Sequence, residues 1–140
     1  MNREEKAAAL FMSGCNCAQS VFGAFAEEFG LTAEQAAKAS CGLGGGVGRM
    51  REVCGAVTGG AMALGMKFGP DKAAVYPKVQ ELCAAFKAEC GSYVCRELLA
   101  GTGATQGGAP EARSAAYYAK RPCVELVRLA TRIVEQLCAK

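Results

Sequence analysis

Apolar positions recur at helical intervals from one end of the chain to the other, and the short β-branched or aromatic alternations of strands are missing. Glu4 to Ser13 is an Ala-rich segment stopped by Gly14. Asn16 is a good N-cap, and after it Ala18, Val21, Phe22, Phe25 and Phe29 share one face before Gly30. Thr32-Ala33-Glu34-Gln35 has the form of a capping box and opens a short helix to about Ser40. Beyond a loop from Cys41 to Gly48 that holds five glycines, Arg51 to Gly65 reads as a central helix. Gly55, Gly59 and Ala63 repeat in it at intervals of four. Glycine inside a helix costs about 1 kcal/mol against alanine, so this face predicts close approach of another backbone or a cofactor.

Gly69-Pro70-Asp71 breaks the pattern. The next helix, interrupted or restarted at Pro77, carries Val79, Leu82, Cys83, Phe86 and Cys90 on one stripe and ends at Gly91. Ser92 caps a short helix through Leu99, and residues 100–110 read as a flexible loop. A short helix from about Glu111 to Ala119 precedes a last one, with Pro122 in its first turn and Val127, Ala130, Val134 and Leu137 facing inward. The pattern predicts an all-α fold. It is expected to be a single compact helical bundle over residues 1–140, with a buried Gly/Ala-rich central helix and Val53–Met66 its most buried helix.

Composition narrows the function. Sixteen basic and thirteen acidic residues leave a net charge of +3, too mild a balance for nucleic acid or an anionic membrane surface. The longest uncharged helical stretch, Val53 to Met66, is 14 residues, short of the roughly 20 that a spanning helix needs. The charged start, Arg3-Glu4-Glu5-Lys6, has no apolar core of a secretory signal. A cytoplasmic protein without membrane insertion is expected, and a homodimer is compatible with the sequence.

Nine cysteines and no histidine are the outstanding numbers. Without histidine the chain cannot form a Cys-His pair, a Ser-His-Asp triad or a His-ligated zinc site. Cys17, Cys54, Cys95 and Cys123 each fall in the first turn of a different expected helix. Unpaired amides and the positive end of the helix dipole favour thiolate there, the form that binds metals and attacks disulfides. Cys83 and Cys138 sit on apolar positions, Cys90 at a helix C-terminus, and Cys15 and Cys41 in loops. The four first-turn cysteines therefore suggest one site. It would hold an iron–sulfur cluster for electron transfer or redox sensing, with the four as metal ligands, or perform thiol–disulfide exchange with them as redox thiols. A third reading is a binding or interaction module, with Gly44, Gly45, Gly46 and Arg49 as a small-anion loop and structural cysteines. That loop lacks a GxGxxG register, a GK[ST] sequence and a preceding strand.

Asn16-Cys17-Ala18-Gln19-Ser20-Val21, the glycine loop with Cys54-Gly55-Ala56-Val57-Thr58-Gly59-Gly60, Gly91-Ser92-Tyr93-Val94-Cys95-Arg96-Glu97 and Pro122-Cys123 form an ordered set over nearly the whole chain. The set resembles the redox-active family named for its cysteine pattern, C_GCAxxG_C_C. The label reads Gly-Cys-Ala at its centre, where this chain has Cys54-Gly55-Ala56. The resemblance implies a bacterial or archaeal protein encoded near transporters or oxidoreductases, with a redox partner protein from such a system. Its four signature cysteines correspond to Cys17, Cys54, Cys95 and Cys123, and the other five are additional.

Overall fold

The computed structural model describes residues 1–140, which form eight helices. These are α1 (Arg3–Met12), α2 (Cys17–Phe25), α3 (Ala33–Ser40), α4 (Gly55–Phe68), α5 (Lys72–Cys90), α6 (Cys95–Leu98), α7 (Ala115–Lys120) and α8 (Cys123–Cys138). Short 3-10 turns follow α2 and α3, at Ala26–Phe29 and Cys41–Leu43. The fold is all-α, and its one extended pairing is an isolated antiparallel bridge between Val53 and Val94.

Local chemistry sets most of the boundaries. Asn16 and Gln19 close a reciprocal capping box on α2, and Thr32 and Gln35 do the same on α3. Four elements differ from expectation: α6 opens at Cys95 after Val94, and Ser92, expected as its cap, instead accepts from the Val94 N–H. Helix α4 begins at Gly55 rather than Arg51, because Arg51, Glu52 and Cys54 hydrogen-bond to the backbone of 93–96 instead. Helix α5 runs unbroken through Pro77, which removes one backbone donor from a helix of 19 residues without ending it. Helix α7 starts after Ser114, whose side chain accepts from the Tyr117 N–H, so Glu111 lies in the preceding loop.

Helix α4 is the centre of the packing and touches α2, α5 and α8. Its glycine repeat has a direct reason. A Cβ on Gly59 would lie 2.6 Å from the Ala18 carbonyl oxygen, and one on Gly55 would lie 3.1 Å from the Ala18 nitrogen. Helices α2 and α4 therefore meet backbone to backbone, which draws the start of α2 against the start of α4. Val53–Met66 is not the most buried helical segment. Six of the nine residues of α2 are buried, a larger share than eight of the fourteen in Val53–Met66, because α2 is enclosed by α1, α3, α4 and α8 while α4 surfaces at Met66.

Gly59→Ala is expected to lower stability by about 1–3 kcal/mol through overpacking. Gly65→Ala is the control, since no atom lies within 4 Å of the added methyl; it should be neutral or gain up to about 1 kcal/mol of helix propensity. Urea denaturation of the two variants reads both effects, and equal midpoints would contradict this packing.

Candidate functional site

Three pieces of backbone converge at one end of α4. The bridge between Val53 and Val94 brings two cysteines side by side. The Cys54 N–H donates to the Tyr93 carbonyl at 2.8 Å, and the Cys95 N–H donates to the Glu52 carbonyl at 2.6 Å. Cys54 is the N-cap of α4, one residue outside the helix rather than in its first turn, while Cys95 opens α6. The close α2–α4 contact brings Cys17, the first residue of α2, next to Gly55. Helix α8 begins at Cys123 and completes the arrangement.

Cys17, Cys54, Cys95 and Cys123 line one cavity of about 60 Å³, together with Arg51, Arg113, Arg121 and Tyr117. Three of the sulfur residues are nearly inaccessible, with exposures of 4% for Cys54, 6% for Cys95 and 7% for Cys123. The cavity opens beside a wider cleft of about 700 Å³, whose wall includes Arg49, Arg51, Arg113 and Arg121. Cys83, Cys90 and Cys138 lie away from the cavity, partly buried in the helix packing. Cys15 and Cys41 flank it through their backbones. The Cys15 carbonyl accepts from Arg113 Nη2 at 2.5 Å, and the Cys41 carbonyl accepts from Asn16 Nδ2 at 2.9 Å.

The glycine loop forms one wall of this cavity. Gly45, Gly46, Val47, Gly48 and Arg49 all have positive φ, between 53° and 70°, and Arg51 follows at 59°. This is a compact left-handed turn. Valine and arginine carry strain in that region, on the order of 1–3 kcal/mol each, so the surroundings must enforce it. The loop's own carbonyls do part of this: Arg49, Arg51 and Glu52 N–H groups donate back to Gly44, Gly45 and Gly46. A Cβ on Gly46 would lie 2.7 Å from the Cys95 Cβ, so the loop rests directly on that cysteine. The carbonyls of Gly44, Gly45 and Gly46 are thus engaged within the turn, while their own amides donate no backbone hydrogen bond. Arg49 is engaged as well: its Nε donates to the Gly107 carbonyl at 2.8 Å, its Nη2 donates to Thr105 Oγ1 at 3.0 Å, and its Nη1 pairs with Glu111 at 3.6 Å. These bonds, with Arg51 Nε donating to the Thr105 carbonyl at 2.9 Å, tie down the loop that the sequence presents as a flexible segment.

Burial and charge act differently on the sulfurs. The Cys17 thiol is raised well above its usual value, first by its hydrogen bond to Cys123 and then by burial. Burial also pushes the Cys54 thiol up to about 12, against the Ala56 and Val57 amides that donate to its sulfur. Cys123 goes the other way. The bond from Cys17 and, after it, the guanidiniums of Arg121, Arg113 and Arg51 together outweigh its burial, so it is held below the ordinary thiol value. A helix N-terminus therefore does not stabilise every thiolate here. At Cys54 the amides act in the expected direction, but loss of water is the larger effect. Sequence reading also left out Arg113 and Arg121. Arg121 stands two residues before Cys123, a nearby signal, whereas Arg113 lies in a loop with no local clue. Both are braced: Arg113 stacks over Phe11 at 4.0 Å, and Arg121 pairs with Glu111 at 2.7 Å.

Neither a curated protein nor a solved structure matches the chain. A family model described as "Putative redox-active protein (C_GCAxxG_C_C)" matches residues 15–137, a span that holds all four cavity cysteines, the glycine loop and the arginines around them. The chain belongs to the C_GCAxxG_C_C family of redox-active proteins.

Proposed function

We propose that this chain is a thiol redox protein in which Cys17 and Cys123 cycle between dithiol and disulfide, with Cys123 as the attacking thiolate. The meeting of Cys17 and Cys123 in one buried cavity with Arg51, Arg113 and Arg121 carries this reading, since burial keeps Cys17 protonated while the guanidiniums favour the thiolate at Cys123. Against a disulfide substrate, the Cys123 thiolate attacks one sulfur and the other substrate sulfur leaves as a thiolate. Cys17 then gives its proton to that leaving group and attacks the Cys123 sulfur of the mixed disulfide. The second substrate thiolate departs, two electrons have passed to the substrate, and a Cys17–Cys123 disulfide remains. Thiol counting after equilibration with glutathione disulfide tests the scheme. The chain should lose two alkylatable thiols and recover them with dithiothreitol, whereas Cys17→Ser should instead stop at a glutathione mixed disulfide on Cys123. Unchanged thiol counts would contradict it.

A second reading is favoured by the presence of Cys54 and Cys95 on the same cavity wall. Four cysteine sulfurs without histidine, faced by arginines, are a donor set that fits an anionic iron–sulfur cluster. Cys17, Cys54, Cys95 and Cys123 would hold it. The cluster would supply one-electron transfer when bound. No three Cys, Asp or Glu side chains stand at single-ion ligating geometry, so a mononuclear metal is not supported. Anaerobic addition of iron and sulfide distinguishes the two readings: visible absorption that depends on all four cysteines would favour the cluster.

A further inference from the structure

One group in the cavity has no partner within the chain. Arg51 is 6% exposed, and its Nη2 is buried with no hydrogen-bond partner. Its other nitrogens are placed: Nε donates to the Thr105 carbonyl at 2.9 Å and Nη1 donates to Cys95 Sγ at 3.7 Å. A guanidinium is charged at every accessible pH, and a buried unpaired N–H of a cation is among the costlier arrangements in a protein interior. The left-handed turn that carries Arg51 at φ 59° keeps the side chain in this position despite its strain.

From this geometry we infer that the four-cysteine cavity is a binding site for a small inorganic oxyanion, with Arg51 as its recognition group. Size and charge agree. The cavity of about 60 Å³ suits an ion of a few heavy atoms and is far below the roughly 300–1,000 Å³ of pockets that enclose larger organic ligands. The neighbouring cleft supplies the approach. Of the charged groups on its wall, Arg49, Arg51, Arg113 and Arg121 are cationic and Glu111 is the acid, itself paired to Arg121 and Arg49. Such a wall concentrates anions at the cavity mouth. Arg121 and Arg113 also line the inner cavity, so an entering oxyanion passes from one guanidinium to the next.

The inference deepens the thiol reading and rests on it for the chemistry after binding. A bound oxyanion that accepts two electrons would take them from Cys17 and Cys123, one of its oxygens would leave as water with the Cys17 proton and a second proton from solvent, and the disulfide would remain. Binding itself is testable without that chemistry. Calorimetric titration of sulfate and of phosphate into the reduced full-length chain should show saturable binding. Neither ion oxidises thiols, so failure of the thiol reading leaves this result standing. Arg51→Gln should weaken binding by at least ~10-fold, consistent with loss of a charged hydrogen bond. Arg51→Lys should fall between, and Arg132→Gln, on the exposed side of α8, should bind normally. If Arg51→Gln fails to fold, the unmodified protein decides: sulfate should slow alkylation of Cys95, beside which Arg51 lies. Glycerol phosphate should bind no tighter than phosphate; markedly tighter binding would overturn the assignment to a free ion. Absence of saturable binding, no protection of Cys95, or unchanged affinity in folded Arg51→Gln would overturn the site.

Discussion

Cys123→Ser is expected to remove the fastest-reacting thiol of the cavity and to slow its total alkylation by iodoacetamide at pH 7 severalfold. An ordinary thiol near pKa 8.5 is only a few per cent ionised at that pH, whereas thiols supported by cations and helix amides ionise below it. Cys123 has both supports: it opens α8, and Arg121, Arg113 and Arg51 lower its pKa along with the donated bond from Cys17. Cys17→Ser should behave differently. The attacking sulfur remains, so fast alkylation persists, but its pH profile shifts upward where the serine hydroxyl donates less well than the thiol. A pH series of alkylation rates with site assignment by mass spectrometry reads both. Equal losses in the two variants would show that Cys123 has no special role.

The second large effect is on stability in alkali. Cys54 has its folded pKa raised from the usual 9.0 to about 12. The unfolded chain therefore releases a proton above pH 9 that the folded chain keeps. Its contribution to stability is thus fully present below about pH 9 and is lost as pH rises toward 12. The slope for one thiol is about 1.4 kcal/mol per pH unit, so the loss approaches about 4 kcal/mol across that window. Cys17, Cys83, Cys90 and Cys138 are also raised and act in the same direction. Cys123 is lowered, so its contribution is lost instead as pH falls through its folded value. Urea midpoints measured from pH 8 to 11 should fall steeply, and Cys54→Ala should flatten the fall. A flat profile in the parent chain would contradict the burial of these sulfurs.

These expectations separate what the residues reveal in order from what only the folded chain shows. Asn16 with Gln19 and Thr32 with Gln35 are local signals, and the helices they open begin where the caps stand. The Gly55/Gly59 face was legible too, because glycine's helix penalty implies a contact in return. The start of α4 was not. Residues 51–54 look helical by themselves and are held out of the helix by hydrogen bonds to 93–96, some forty positions later along the chain. The start of α7 moved for a similar reason, since Glu111 is held by Arg121 and Arg49 rather than by a helix. At the site, the placement of four cysteines near helix starts was readable. Their ionisation was not, because a helix N-terminus appears in the sequence and the loss of water around Cys54 and Cys17 does not. Arg51 shows the same limit. Its place beside the glycine loop is plain from order alone, while its unpartnered nitrogen exists only once α6 and the 99–114 loop have closed over it.

The central claim is that Cys17 and Cys123 form the working pair. Peptide mapping under non-reducing conditions tests it most directly, on protein reduced anaerobically, oxidised with glutathione disulfide and quenched with acid. The account predicts a single dominant cross-linked species joining the peptide that contains Cys17 to the one that contains Cys123, with Cys54 and Cys95 recovered as free thiols. A disulfide joining Cys54 to Cys95, or Cys123 recovered as a free thiol after full oxidation, would contradict it.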